Sequence, residues 1–343
     1  MISIIEKVKE NINSQTDKGV LLTWDSIYQD LLQREAEDHI IKTMRKWYEL
    51  IFEQSFLDDL PSRCEEIFFH SADETEIKIG EKKVDFYHDI GKDDFPLLLS
   101  IICLQNHASW SFAKPFTSFY FKNTTHSFRI SLVHSCLSAT HAPKAFIRVL
   151  NTNSIPLSYY NKTKLLSESI LKRKNIIIAG STGSGKTTLI NSLLTQTNDD
   201  DHLLIIEDTY ELISPNIKTT RLLSNDDMNA SMDAILAYSL RMSPDRIILG
   251  ELRSKEVTTL IQAMNTGHRG ILTTIHANSA SDALSRIALL FTLYSGSGLS
   301  YELTLKLVCQ NIDQVIFIKN KNIEEIIDIY GSEKSQVFYD TAS

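Results

Sequence analysis

NIIIAGSTGSGKTTLI, residues 175–190, is the stretch on which the fold of this chain turns. NIIIAG (175–180) is a short apolar run, which reads as a buried strand. It passes into GSTGSGKT, Gly180 to Thr187, a full match to G-x-x-x-x-G-K-[ST]. A helix is expected directly after it, over 186–197. Strand, glycine-rich turn and helix in that order make a phosphate-binding loop. Glycine lets the backbone curl and approach an anion closely. The freed N–H groups and the helix N-terminus then present partial positive charge to phosphates. Lys186 is placed to reach the β- and γ-phosphates of ATP, and Thr187 offers its hydroxyl to Mg²⁺. The expected nucleotide contacts are Gly180, Ser181, Thr182, Gly183, Ser184, Gly185, Lys186, Thr187 and Thr188.

Three further segments follow the loop, each at or near the end of a strand-like run. In IIEDTYEL (205–212), Glu207, Asp208 and Glu211 lie just past the run LLIIE (203–207). Ligands of open parallel sheets bind at the carboxyl ends of strands. Three carboxylates there repel one another unless a cation joins them. Glu211 is expected to polarise an attacking water, and Glu207 and Asp208 to hold the metal or its waters. In PDRIILGELR (244–253) an apolar strand ends in Gly250-Glu251. Most phosphate-loop enzymes put Asp there to hold Mg²⁺ through water. Here Gly250 allows close backbone approach, and Glu251, one residue on, has the longer arm to reach a metal water. Arg253 either pairs with a carboxylate or reaches a neighbouring γ-phosphate. In TGHRGILTTIHANSA (266–280) a strand carries His276 at or near its carboxyl end, where the ring could sense the γ-phosphate; His268 reads as a loop residue.

The remaining elements of this half alternate in the same way. Helices are expected over 161–173, 233–242 and 256–267, with strands at 247–251 and 270–277. VIFIK (315–319) and IEEIIDIYG (323–331) read as an edge hairpin followed by a polar tail. Short β-branched runs separated by helices indicate a parallel sheet covered on both faces. The first half carries no nucleotide motif. A helix is expected over 25–54, with Asp25 as N-cap, and another over 94–106. Strands are expected at 65–71, 76–80, 83–88, 116–122, 128–134 and 145–150. The domains expected are an N-terminal α+β domain with an antiparallel sheet (1–150), a linker (151–160) interrupted by Pro156, and an ATPase domain (161–343).

Bulk properties narrow the function. The chain has 343 residues and a formal net charge of −8, without the dense basic stretch that duplex binding requires. Lys172-Arg173-Lys174 reads as a solvated helix end. The cysteines Cys64, Cys103, Cys136 and Cys309 are widely spaced, with no C-x-x-C pair, which argues against a zinc ribbon or a disulfide framework. FPLLLSIICL (95–104) is about half the ~20 residues needed to span a bilayer and reads as a buried helix. No secretory signal is visible at the N-terminus. A cytoplasmic protein with peripheral membrane contact is expected.

Together, the four segments resemble the secretion ATPase superfamily of type II secretion, type IV pili and type IV secretion, where they correspond to the Walker A motif, Asp box, atypical Walker B motif and His box. EDTYEL, GELR and LTTIHANS are most similar to the VirB-eleven branch of type IV secretion. The resemblance implies an α/β fold: a RecA-like P-loop NTPase core with a smaller α+β N-terminal domain. It further implies a homo-hexameric ring with ATP and Mg²⁺ bound between two domains. Glu211, Glu251, Lys186 and His276 would be catalytic. Thr187, Glu207, Asp208 and Glu251 would hold the metal. Arg129 and Arg148 match N-terminal-domain arginines that reach the nucleotide, although the family's Pro-Pro between them is replaced by His141-Ala142-Pro143; Arg241 matches an arginine near the subunit interface. Implied partners are other type IV secretion ATPases and inner-membrane channel components, with peripheral association at the inner membrane and no stable nucleic-acid binding. Rival readings are a pilus retraction motor, a nucleotide-gated scaffold with incidental hydrolysis, a nucleic-acid translocase and, less in keeping with the missing Arg-rich lid, a small-molecule kinase.

Overall fold

The computed structural model describes residues 3–150, 155–225, 229–333 and 336–342. The chain divides into two compact units, Met1–Asn151 and Thr152–Ser343.

The first unit opens with three helices, α1 (Ile4–Asp17), α2 (Trp24–Gln33) and α3 (Asp38–Ile51). A capping box starts α1: Ser3 Oγ accepts from the Glu6 N–H and the Glu6 carboxylate accepts from the Ser3 N–H. The single helix expected over 25–54 is two helices. Thr23, not Asp25, caps α2, and the chain breaks at Glu35, which takes a left-handed φ of 54°. No Gly or Pro marks that break, so composition hides it.

A sheet follows, built from β1 (Cys64–Phe69), β2 (Thr75–Ile79), β3 (Lys82–Asp85), β4 (Phe116–Lys122), β5 (Ser127–Val133) and β6 (Lys144–Leu150), with α4 (Asp94–Gln105) between β3 and β4. The spatial order is β3-β2-β1-β6-β5-β4, and each recorded pairing is antiparallel. One sheet face supplies Ile67, Phe69, Phe128, Ile130 and Ile147 to a core shared with Val8, Ile27, Met44 and the apolar face of α4. The apolar run 95–104 is thus a core helix, with Phe95, Leu98, Leu99, Ile101 and Ile102 buried. Among the described residues no helix is long and apolar enough to cross a membrane.

Of the segment expected as a linker, 151–154 lie outside the described residues. Residues 155–160 pack onto the second unit: Leu157 and Tyr160 are buried in its core, and the Ser192 hydroxyl donates to the Ile155 carbonyl.

The second unit runs α5 (Thr163–Leu171), β7 (Ile176–Ala179), α6 (Lys186–Leu194), β8 (Leu203–Glu207), β9 (Thr219–Leu223), α7 (Met232–Ser239), β10 (Arg246–Leu249), α8 (Glu256–Asn265) and β11 (Leu272–Ile275). It continues through α9 (Ala280–Ser295), α10 (Tyr301–Asn311), β12 (Gln314–Lys319), β13 (Asn322–Glu333) and β14 (Gln336–Thr341). The sheet order is β14-β13-β12-β7-β11-β10-β8-β9. Strands β12 through β9 pair in parallel, and β13 and β14 add antiparallel strands at one edge.

Both faces of the parallel part are covered. Ile177, Ala179, Leu204 and Ile206 face one apolar cluster, and Ile176, Ile178, Leu203 and Ile205 face the other. The C-terminal hairpin is not at the edge. β12 lies between β7 and β13, and the expected polar tail folds back as the outermost strand β14.

At the amino ends of the parallel strands, Arg246 and Asp201 form a buried ion pair, Nε to Oδ2 2.7 Å, and Arg173 reaches the other oxygen of Asp201 at 2.6 Å. Gly270, at φ +75°, leaves the room: a methyl there would lie 2.6 Å from Arg246 Nη1. Asp201→Ala strands Arg246 as a buried, uncompensated cation. It should cost the second unit about 3–5 kcal/mol, read as a shifted midpoint in denaturant unfolding.

Candidate functional site

The phosphate loop is shaped by steric exclusion. Gly180, Gly183 and Gly185 have φ of 159°, 73° and 103°. A methyl on Gly180 would lie 2.4 Å from the Ile318 carbonyl oxygen and 2.5 Å from Ser184 Oγ. That carbonyl belongs to β12, which leads into the turn Asn320-Lys321; both turn residues have positive φ, 49° and 64°, as a two-residue type I′ hairpin turn requires. The Lys321 N–H donates to the Ser184 carbonyl at 2.9 Å, and a methyl on Gly185 would stand 3.5 Å from Lys321 Cα. The hairpin is therefore a back wall to the loop, leaving Ser181, Thr182 and Gly183 exposed. The result is a glycine-rich turn at the head of α6, suited to a polyphosphate.

Lys186 is buried and uses three donors. It reaches the carbonyls of Gly180 and Ser181 at 2.9 Å each and His276 Nδ1 at 3.3 Å. Burial lowers the pKa of its ammonium, against the pull of Glu251. Because lysine can only donate, Nδ1 must accept, so the other ring nitrogen carries the proton. That nitrogen, Nε2, lies 2.8 Å from Glu251 Oε1. A neutral ring fits, since burial and the Lys186 charge both lower the pKa of His276. The second Glu251 oxygen takes Arg253 Nη2 at 2.6 Å, and Arg253 Nη1 reaches Asp208 Oδ2 at 2.6 Å. The sequence therefore leads to one charged chain, Lys186–His276–Glu251–Arg253–Asp208. Of the two alternatives for Arg253, this structure contains the carboxylate pairing.

Thr187 Oγ1 approaches Glu211 Oε2 at 3.4 Å. A hydroxyl beside a carboxylate at the foot of an anion cradle is a donor set of the hard-oxygen kind that Mg²⁺ takes. Thr188, one residue on, is half-buried on α6.

The three carboxylates expected to share one cation do not converge, and no group of three metal-ligating side chains is present among the described residues. Asp208 is paired with Arg253 and accepts from Ser224. Glu207 is turned inward, 3% exposed, and one of its oxygens accepts from two backbone N–H groups, Glu211 at 3.0 Å and Leu212 at 2.8 Å. The close approach expected at Gly250 is to this side chain: a methyl there would stand in ordinary contact, 3.4 Å from Glu207 Cγ.

Arg129 and Arg148 lie in the first unit as direct cross-strand neighbours on β5 and β6, with Glu66 of β1 opposite Arg148. They border a cavity of about 200 Å³ with Phe68, Ser131 and Phe146. Two guanidiniums side by side repel unless an anion is close; Glu66 is one. Arg241 is exposed in a 3-10 turn after α7. Asn191, buried on α6 and bonded to the loop after β8, was missed. Its only sequence signal is its place one helical turn beyond Thr187.

Burial pushes the Glu207 carboxyl from 4.5 up to about 7, outweighing the two backbone donors. Between those values the folded chain holds a proton that the unfolded chain has released, so stability falls as pH rises across that window. Glu207→Gln removes the titration and keeps an acceptor. The variant should gain on the wild type by up to about 3 kcal/mol as pH rises from about 4.5 to 8. Denaturant unfolding at several pH values reads this; a pH-independent difference would refute it.

The family model described as Type II/IV secretion system protein matches residues 118–327, more than half of the chain and all four motifs. The conjugal transfer protein TrbB of Rhizobium radiobacter is 35% identical over 204 residues, covering 55% of this chain and 61% of that protein. The type IV secretion system protein VirB11 of Bartonella quintana is 37% identical over 152 residues, covering 43% of each. The chain thus spans about half the length of the curated relatives it matches. Among solved structures, the Legionella pneumophila ATPase DotB aligns with a TM-score of 0.61 at 19% identity, covering 85% of this chain and 79% of that one. The pilus retraction motor PilT with bound ADP aligns with a TM-score of 0.59 at 19% identity, covering 85% and 81%. These likenesses carry the fold, a RecA-like core beside a smaller α+β unit, and the matched model carries the membership: this chain belongs to the type II/IV secretion system protein family.

Proposed function

We propose that the chain is an ATPase that powers transport or pilus assembly by a type IV secretion system, working as a homo-hexameric ring. The observation that carries this reading is the phosphate loop walled by β12, with Lys186 and Thr187 at its foot and Glu211, Glu251 and His276 around them. TrbB and VirB11 are named for conjugal transfer and type IV secretion, which favours that machine. The PilT alignment keeps a pilus motor as the second reading.

In this reading the triphosphate lies along Gly180–Thr188, and phosphate oxygens replace the carbonyls of Gly180 and Ser181 as partners of Lys186. Mg²⁺, when bound, supplies charge neutralisation on the β- and γ-phosphates. Thr187 and Glu211 are the groups to hold it, with Glu251 and Asp208 available through water. Glu251 and Glu211 orient the attacking water. Its oxygen bonds to the γ-phosphorus as the bond to the β,γ-bridging oxygen breaks, and its proton passes to a carboxylate. His276 already touches Lys186 and Glu251, so it can report whether Lys186 is engaged by a γ-phosphate. Arg129, Arg148 and Arg241 are proposed as anion-binding arginines, and Arg253 as the counter-charge that keeps Glu251 aligned. Partners would be other ATPases and inner-membrane channel components of the same system, with peripheral association at the cytoplasmic face of the inner membrane and no stable nucleic-acid binding.

Lys186→Ala should abolish ATP turnover, and undiminished turnover would end the proposal. Glu251→Gln should still bind ATP but lose turnover by about 100-fold or more, measured as phosphate release beside nucleotide binding. Native mass measurement with ATP should give a six-fold assembly; a monomer at all concentrations would remove the ring.

A further inference from the structure

The loop after β8 carries Glu211 and has no regular secondary structure through 211–216. Its backbone polar groups are nonetheless satisfied one after another, by side chains from three different elements. Glu207, at the end of β8, accepts from the N–H groups of Glu211 and Leu212. Asn191 of α6 donates to the Glu211 carbonyl at 3.3 Å and accepts from the Ile213 N–H at 2.8 Å. Arg221 of β9 donates to the Leu212 carbonyl. Glu207 and Asn191 are both buried, 3% and 4% exposed. A loop held only by its own backbone would place Glu211 with the spread of any surface loop; this one is pinned at five consecutive backbone groups.

Two details give the pinning a direction. Asn191 sits four residues after Thr187 on the same helix, so it fixes the loop relative to the element that carries the phosphate loop. Glu207 also packs against the backbone at Gly250, where a methyl would stand in ordinary contact, 3.4 Å from its Cγ.

We propose that Glu207 and Asn191 are positioning residues: a two-point side-chain clamp that sets Glu211 against Thr187. This deepens the proposed hydrolysis and rests on that reading. It takes Glu207 out of the metal shell. One oxygen is taken up by two backbone donors, and the other is buried without a hydrogen-bond partner among the described residues.

The test compares Glu207→Gln with Glu207→Met. Both keep the length and near-shape of the side chain, but only glutamine can still accept from the two N–H groups. Glu207→Gln should retain wild-type turnover with an unchanged Mg²⁺ dependence. Glu207→Met should lose about 100-fold in kcat, the cost of a misplaced group, with little change in KM for ATP. Asn191→Leu should behave like Glu207→Met. In parallel, amide hydrogen exchange should show Glu211 and Leu212 protected in the wild type and in Glu207→Gln, and unprotected in Glu207→Met. Loss of turnover in Glu207→Gln as deep as in Glu211→Gln would overturn the proposal, because the charge and not the acceptor would then matter. Protection and turnover both intact in Glu207→Met would overturn it equally. A wild-type chain that never hydrolyses ATP would sink the proposed function alone, and the clamp then stands or falls on amide exchange.

Discussion

A single carbonyl oxygen sets the form of the phosphate loop. The Ile318 oxygen occupies the place a side chain would take at Gly180, and Ser184 Oγ closes the other side. The loop therefore runs close along β12, at the head of α6. The placing of Lys186 and Thr187, directly after the loop, follows from that path. The constraint makes glycine necessary at 180 on steric grounds, and at 185 the φ of 103° favours glycine, both before any anion is considered.

The charges around the phosphate loop form one connected chain. Lys186 donates to the neutral ring of His276, the ring faces Glu251, and Glu251 shares Arg253 with Asp208. Arg253 offsets the two carboxylates, and the neutral ring joins Lys186 to Glu251 without adding a charge, so oppositely charged groups lie close to one another. A change at either end would be felt along the chain, because a proton or partner gained by one member alters what its neighbour needs.

Much of this was readable from the residues alone. The glycine pattern at 180–187, the apolar strands 176–179 and 203–207, and the carboxylates and histidine at strand ends give the RecA-like core and most members of the site. Three features were not readable. The break at Glu35 falls in a run of good helix formers, so periodicity continues through it. β12 lies beside β7 because of pairing across the chain, which local apolar pattern cannot distinguish from an edge strand. Glu207 and Glu211 have the same chemistry and sit four residues apart, yet one faces inward and the other toward Thr187. The N–H groups of Glu211 and Leu212, which lie later in the same loop, hold the Glu207 carboxylate inward.

The order of synthesis gives the hairpin wall one more consequence. Gly180–Thr187 leaves the ribosome well before Ile318 and Lys321 do, and the β7 edge beside it stays unpaired until β12 has been made. A nascent chain that has reached only α9 carries the complete glycine motif without the surface that forces it into shape. Nucleotide grip should accordingly be absent from such a partial chain and arise late, when the final strands close the sheet. A premature stop before β12 would leave a polypeptide that bears the signature of the family without the wall behind its phosphate loop.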